Sequence, residues 1–350
     1  MTDNCKVEKY FAAANSYRGF ISYFDKLFSS NKYDKIYVLK GGPGTGKSSL
    51  MKAVENKVLD KHCNVQEIYC SSDPKSLDAV IITSQDKRIA IIDGTAPHER
   101  DAVIPGAIDE IINLADGIDK QWISGKRNDI LALNKEKKNA YKAAYSYLSI
   151  AGAADKFITE TYRSIFDKKR AKNKAEEILS SISCDKNERE DIKLISSFGR
   201  LGSYSLDTLE LISKRLISVS GDEIASSLLI EELSNYLRYK EVSFTRLLCP
   251  KNPDALDALY IPDSSLSISR KQVGDIDAES FLTFMGYDKE QIKTANMIKR
   301  DALEEAKRWF AIASDLHFRL EDIYIASMNF DKNEEIILNI TEEIENILEI

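Results

Sequence analysis

The sequence predicts an α/β fold built from two tandem, related halves, each with a mostly parallel sheet and extra long helices. Three observations predict it. Short apolar runs typical of buried parallel strands alternate with amphipathic helical patterns. Several segments recur downstream at nearly constant offsets. Two long helical patterns, at 128–181 and 289–350, occupy corresponding places in the two copies.

Composition narrows the class of protein. A chain of 350 residues with 43% apolar residues is long enough for about two domains with sizeable cores. The net charge of −7, with acids and bases mixed, makes a nucleic-acid partner unexpected. We expect no membrane segment and no secretory signal, because long apolar runs and a basic N-terminal region are absent from the sequence. These features predict a cytoplasmic protein.

Metal and disulfide chemistry receive little support from the sequence. The five cysteines are scattered and show no CxxC spacing, so reduced thiols are expected. Three histidines are too few for a histidine-rich metal site.

The most informative segment is KIYVLKGGPGTGKSSLMKAVENKVL at 35–59. A short apolar run predicts a strand, G-x-x-x-x-G-K-S follows, and an amphipathic pattern then predicts a helix, which together form the Walker A context of a P-loop. Glycines let backbone N–H groups approach phosphate oxygens, and the helix start adds its positive dipole end. Lys47 is expected to reach the β- and γ-phosphates, and Ser48 to bind Mg²⁺. The predicted ATP-binding residues are Gly41, Gly42, Pro43, Gly44, Thr45, Gly46, Lys47, Ser48 and Ser49.

A second acidic position is expected at the end of a neighbouring strand. In RIAIIDGTAPHE, at 88–99, Asp93 follows an apolar run and is the predicted second metal ligand. Gly94 stands where fast ATPase motors carry a glutamate. Its presence predicts slow hydrolysis, a base from elsewhere, or phosphoryl transfer to an acceptor other than water. The catalytic candidates are Lys47 and Asp93, with Asp73, His98 and Glu99 as alternative bases.

An internal duplication organises the chain. CSSDPKSLDAVII, at 70–82, matches CPKNPDALDALYI at an offset of 179. Two helical segments match at offsets of 162 and 158, for example Ala144 with Ala306. With the P-loop motif, the repeat predicts two P-loop NTPase-like, three-layer domains at 1–184 and 185–350, joined by the polar segment at 184–193.

The offset of 179 places the P-loop motif on SGDEIASS, at 220–227. The lysine becomes Ser226, and a glycine becomes Glu223, which puts negative charge where phosphates would bind. The same offset pairs Asp93 with Gln272. We therefore expect residues 220–227 to join a strand to a helix as 41–48 do, in a half that no longer binds a nucleotide.

One further pattern precedes the P-loop motif. In RGFISYFDKLFSS the aromatic and leucine residues recur at i, i+3, i+4, i+7 and i+8, which predicts a helix over residues 20–28 that packs against the first strand. The alternative is that residues 15–19 contribute to the adenine pocket.

Several segments resemble an uncharacterised family of bacterial ATP-binding proteins with two tandem P-loop halves. They are YFAAANSYRGFISYFDKL, VLKGGPGTGKSSLMK, YCSSDPKSLDAVII and IIDGTAPHERDAVIPGAIDEIINL. The resemblance implies ATP binding at 41–49 and no particular reaction. The chain departs from that family by losing the second P-loop. IIDGTAPHER also looks loosely like the D-G-x-P-R element of adenylate-type kinases, with His98 at the arginine position.

Three functions remain open. The first is an Mg²⁺-dependent ATPase or ATP-driven switch with one working site. The second is a kinase that acts on a nucleotide or another small molecule, and the third is an ATP-binding interaction protein that does not hydrolyse ATP. The physiological partner, a small molecule or a protein, is not identified. Arginines of the second half that could complete the first site are Arg200, Arg215, Arg238 and Arg246.

Overall fold

The computed structural model describes residues 7–61, 63–180, 182, 190–283 and 288–350. Cys5, His62, Cys184 and most of the polar joint between the repeats lie outside the described residues. Cys63 and Cys249 are buried cysteines, and Cys70 is partly buried.

The first half contains eight strands within the described residues. They are β1 (Val7–Phe11), β2 (Ala13–Ser16), β3 (Gly19–Ser22), β4 (Lys35–Lys40), β5 (Asn64–Tyr69), β6 (Leu77–Ser84), β7 (Lys87–Asp93) and β8 (Asp109–Asn113). Its α-helices are α1 (Phe24–Leu27), α2 (Lys47–Val58), α3 (Lys120–Gly125), α4 (Arg127–Ile165) and α5 (Lys168–Leu179).

The second half repeats this order without a counterpart of α3 in its described part. Its strands are β9 (Glu190–Lys193), β10 (Ser196–Gly199), β11 (Gly202–Ser205), β12 (Arg215–Ser220), β13 (Phe244–Leu248), β14 (Leu256–Ile261), β15 (Leu266–Arg270) and β16 (Ile276–Asp277). Its helices are α6 (Thr208–Ile212), α7 (Glu223–Tyr239), α8 (Lys289–Ile325) and α9 (Asp331–Leu348).

The two main sheets have the same topology. The first has the strand order β1-β5-β6-β7-β4-β8 and the second has β9-β13-β14-β15-β12-β16. In each sheet the third strand pairs antiparallel with both neighbours, and the remaining pairs are parallel. The prediction of two similar α/β halves with mostly parallel sheets is therefore confirmed.

Strand β4 shows why the sheet is buried on both faces. Its continuous apolar run places Ile36 and Val38 on one face and Tyr37 and Leu39 on the other, and all four are fully buried. Ile36 and Val38 join a core that the two sheets share, whereas Tyr37 and Leu39 pack with α2 and α9. Strand β4 leads into the glycine-rich loop at residues 41–46 (the glycine loop) and is thus fixed from both sides.

Helices α4 and α8 form a long two-helix stalk. Leu133, near the start of α4, clusters with Leu320, near the end of α8, so the helices run antiparallel. Small buried residues such as Ala144 and Ala306 let them approach closely. Despite their length, the described helices include none with an apolar stretch sufficient to cross a membrane.

The last helix of each half packs on the other half. Ala171 and Leu179 of α5 lie in the core around α7, while Ile340 and Ile344 of α9 lie in the core with Leu50 of α2. The boundary predicted between 184 and 185 lies outside the described residues, and α5 and α9 each pack against the half on the other side of it.

The predicted helix over 20–28 is wrong in its first part. Residues Gly19–Ser22 form β3, which pairs antiparallel with β2, and the helix α1 covers only Phe24–Leu27. Gly19 adopts a positive φ of 98°, and the Ser16 hydroxyl donates to its carbonyl, which closes a hairpin. Turn formation at Gly19 therefore overrides the helical spacing of the aromatic residues.

We predict that a fragment of residues 1–184 does not fold cooperatively alone. It lacks α9, so the apolar face of α2 that Ile340, Ile344 and Leu348 cover would be exposed to water. Circular dichroism thermal scans should show a broad, weak transition for this fragment and a sharp transition after an equimolar 190–350 fragment is added. A sharp transition of the 1–184 fragment by itself would contradict the prediction.

A buried pair of carboxylates lies between α2 and β5. Glu55 of α2 and Glu67 of β5 are both buried and share Lys52, whose ammonium is 3.0 Å from Glu55 Oε2. The Tyr69 hydroxyl donates to Glu67. Burial, and next the Glu67 carboxylate, raise the pKa of Glu55 to about 7, against the opposing effect of Lys52.

We predict that this pair makes the protein less stable at alkaline pH. The pKa of Glu55 is raised on folding, so its contribution is complete below about pH 4.5 and is lost as pH rises through 7. Urea unfolding should show a loss of roughly 2–3 kcal/mol between pH 5 and pH 9 from this group. Glu55→Gln, which mimics the protonated acid, should remove that loss, whereas Glu176→Gln on the exposed face of α5 should not. Equal pH slopes in all three proteins would contradict the assignment.

Candidate nucleotide site

Residues 41–46 connect β4 to α2 in a conformation that requires glycine. Gly44 and Gly46 have φ of 71° and 88°, a region that side chains with a β-carbon rarely adopt. The Thr45 hydroxyl donates to the Gly42 carbonyl at 2.9 Å and holds the turn. The loop delivers the chain to the N-terminus of α2, whose free N–H groups favour an anion.

Lys47 and Asp93 meet at this loop. Asp93 ends β7, which pairs parallel with β4, so its carboxylate lies at the carboxyl edge of the sheet. The Lys47 ammonium lies 3.7 Å from Asp93 and donates to the carbonyls of Gly41 and Gly42 at 3.1 and 2.9 Å. Thr95 donates to the other carboxylate oxygen through its N–H and hydroxyl, which fixes the Asp93 side chain.

The side chains of Ser48 and Asp93 fit a magnesium site of the P-loop type. The Ser48 hydroxyl accepts a hydrogen bond from the Leu77 N–H at 2.9 Å, which holds its oxygen at the loop. A hydroxyl and one carboxylate are a suitable protein donor set, because Mg²⁺ usually keeps several waters and takes phosphate oxygens as further ligands.

A cavity of about 880 Å³ opens over the loop, and both halves form it. The predicted residues at 41–49, together with Asp73, Asp93 and His98, line it. Glu99 is exposed to solvent and does not line it. The stalk supplies part of the lining, which consists of Lys137, Tyr141, Tyr145, Ser314, His317, Phe318, Glu321 and Ile325.

His98 forms a buried pair with Asp78, a residue that the sequence reasoning did not select. The two side chains are 3.2 Å apart and both line the cavity. Burial raises the pKa of Asp78, and Asp93 adds to this, while His98 opposes it. The duplication carries a signal for this residue, since Asp78 is repeated as Asp257.

One arginine of the second half reaches the first site. Arg200, in the turn between β10 and β11, donates to Asp73 at 3.1 Å, and its guanidinium lies 5.1 Å from the Phe318 ring centre. Asp73 is therefore held by an ion pair. Arg238 and Arg246 instead pair with Glu190.

The glycine loop is also packed against the second half. The Asn333 amide of α9 donates to the Thr45 carbonyl at 3.0 Å. A β-carbon at Gly42 would lie 3.0 Å from the Tyr324 ring, and one at Gly44 would lie 2.6 Å from the Glu321 carbonyl. The glycines are thus required by protein contacts as well as by any phosphate.

The second half preserves the strand, the helix and a hydrogen bond next to the loop, but it does not preserve the loop itself. The Ser227 hydroxyl accepts from the Leu256 N–H at 2.9 Å, as Ser48 does from Leu77, so the predicted offset of 179 holds there. However, α7 begins at Glu223, three residues before the counterpart of Lys47. The prediction of a strand-to-helix connection is confirmed, but only Gly221 and Asp222 form it, and the Asp222 side chain caps α7.

The predicted partner of Asp93 in the second half is wrong. Asp93 pairs with Leu39 in the first sheet, and Arg270 pairs with Val219 at the corresponding place in the second. Arg270, not Gln272, is therefore the counterpart. The connection between β14 and β15 changes the offset from 179 to 177, which a constant offset cannot follow.

Glu223 occupies the centre of a cation cluster in the second half. Its carboxylate accepts from Lys251 at 2.8 Å and from Lys299 at 3.4 Å, and Arg270 lies 3.7 Å away. Its partial removal from water alone would raise the pKa of Glu223, but the three cations outweigh that effect and lower the pKa.

We predict that Glu223→Gln lowers the free energy of unfolding by about 1–2 kcal/mol. The value is modest because the side chain is 45% exposed and water screens its charge. Glu231→Gln, which breaks the exposed pair with Arg163, should cost less than about 0.5 kcal/mol. Urea unfolding of both variants measures the difference, and equal losses would count against a special role for Glu223.

Comparisons of the chain with protein-family models, with curated proteins and with solved structures found no match. The resemblance to tandem P-loop proteins therefore stays a prediction. The functional assignment rests on the loop, the cavity and their contacts.

Proposed function

We propose that the protein binds Mg²⁺-ATP at residues 41–49 and acts as a slow ATPase or ATP-driven switch with one working site. The glycine loop carries this proposal, because it presents Lys47 and the start of α2 to a cavity that Asp93 also lines. Lys47 would exchange its bonds to the Gly41 and Gly42 carbonyls for phosphate oxygens. Ser48 and Asp93 would hold Mg²⁺, which neutralises phosphate charge when bound.

Packing around Gly94 supports slow turnover. A β-carbon at this position would lie 2.4 Å from Val38 Cγ1 in the buried sheet and 3.1 Å from the Arg100 carbonyl. A glutamate that orients the attacking water therefore has no room directly after Asp93. Asp73 is held by Arg200, and His98 is held by Asp78.

Contacts between the loop and the second half support the switch. Phosphate binding acts on the backbone of the loop, and that backbone bonds to Asn333 and packs against Tyr324. Tyr324 and Asn333 flank the connection between α8 and α9. A shift of the loop would therefore be transmitted directly to the stalk and to α9.

We predict that Mg²⁺-ATP raises the melting temperature. Ligand at 100 times its Kd should stabilise the native state by about 2.7 kcal/mol. Lys47→Ala should abolish the shift and all phosphate release, and Asp93→Asn should reduce both. Differential scanning fluorimetry and a phosphate-release assay provide the two measurements.

Lys57→Ala supplies the matched control. Lys57 lies on the exposed side of the same helix, so its replacement should preserve the shift and the release of phosphate. If the wild-type protein gives no shift with Mg²⁺-ATP, the proposed function is wrong.

Phosphoryl transfer to a small molecule is the second candidate. The cavity favours it, because its lining extends beyond the loop to Ser72 and to Tyr141 and Tyr145 of α4. Incubation with a library of nucleosides and nucleotides decides between the two. ADP that forms only with an acceptor present would favour a kinase, and stabilisation by ATP with no turnover in either condition would favour a binding protein.

A further inference from the structure

The cation cluster around Glu223 indicates how the first half would treat a phosphate. The sequence offset of 179 pairs Glu223 with Gly44, and the Glu223 carboxylate lies beside the Lys299 ammonium of the stalk. A second carboxylate, that of Asp155, lies 2.6 Å from the same ammonium. The second half thus places two negative charges next to one buried stalk lysine.

The first half has the same lysine without those carboxylates. The offset of 162 that pairs Ala144 with Ala306 also pairs Lys137 with Lys299 and Asp155 with His317. Lys137 lines the cavity above the glycine loop. Glycine thus replaces one carboxylate and histidine replaces the other.

Within the described part of the chain, Lys137 has no carboxylate at ion-pair distance. Among the described residues no hydrogen bond or ion pair within 4 Å involves its ammonium, and the side chain is partly buried. Burial lowers the pKa of Lys137, and the Glu321 carboxylate opposes this. Partly burying an unpaired ammonium is unfavourable, so an anion at this place would gain a strong interaction.

A terminal phosphate matches what is missing. A phosphate group carries about 1.5 to 2 negative charges at neutral pH, close to the charge of the two absent carboxylates. The cavity joins Lys137 to Lys47 and the glycine loop, so one phosphate chain could contact both.

We propose that Lys137 binds the terminal phosphate of a nucleoside triphosphate and makes the site prefer a triphosphate to a diphosphate. The proposal rests on nucleotide binding at residues 41–49. Lys137 of α4 would then pair with a bound phosphate, as Lys299 of α8 pairs with the carboxylates of Glu223 and Asp155.

The test compares a non-hydrolysable ATP analogue with ADP, each with Mg²⁺, by isothermal titration calorimetry. Lys137→Gln should weaken binding of the analogue about 10-fold or more and change ADP binding less than about 2-fold. Lys138→Gln, at the exposed neighbouring position of α4, should leave both affinities unchanged. Wild-type affinities in Lys137→Gln, or equal losses for both nucleotides, would overturn the role of Lys137.

A labelling experiment on the unaltered chain makes the result independent of how the variant folds. Acetylation by an amine-reactive ester, quantified by mass spectrometry, should slow at Lys137 with the ATP analogue and not with ADP, while Lys138 reacts equally in all samples. Unchanged acetylation of Lys137 would overturn the proposal. If the wild-type protein binds neither nucleotide, the proposed nucleotide site itself is wrong. If the wild-type protein binds both nucleotides and Lys137 has no effect, only the role of Lys137 is wrong.

Discussion

The contact between the glycine loop and the second half is the interaction on which the site depends. Asn333 bonds to the Thr45 carbonyl, and Tyr324 and the Glu321 carbonyl lie where β-carbons at Gly42 and Gly44 would be. The loop is therefore shaped by a helix connection nearly 300 residues further along the chain. Because backbone contacts of this kind tolerate little displacement, loop and stalk must move together or not at all.

Reciprocal exchange between the halves extends this constraint. Helix α5 completes the core around α7, and α9 completes the core around α2. The β2–β3 and β10–β11 hairpins also contact the opposite half. Arg200 of the second half pairs with Asp73 of the first, and the Tyr17 N–H of the first half donates to the Lys251 carbonyl of the second. Each half therefore contributes contacts to the loop region of the other half.

Local patterns predicted the parts of the structure that local physics decides. The strand, glycine loop and helix at 35–58 followed from an apolar run and a motif, and the duplication predicted the matching sheets. The helix exchange has no local signal, because apolar faces do not specify which sheet covers them. The hairpin at Gly19 and the early start of α7 at Asp222 depend on single turn and capping residues, which a hydrophobic pattern cannot detect. Arg270 was missed because strand connections differ in length between the repeats.

The charge arrangement around Glu223 is a permanent feature of the second half that does not depend on a bound ligand. In the second half a carboxylate is always present between the loop and the stalk lysine, so that half holds one fixed electrostatic condition. If a terminal phosphate takes the equivalent place in the first half, binding gives both halves a negative charge beside the stalk lysine. Hydrolysis and loss of that phosphate leave the charge in the second half alone. During a nucleotide cycle the stalk would then alternate between two states. In one, Lys137 and Lys299 are both paired with an anion, and in the other only Lys299 is.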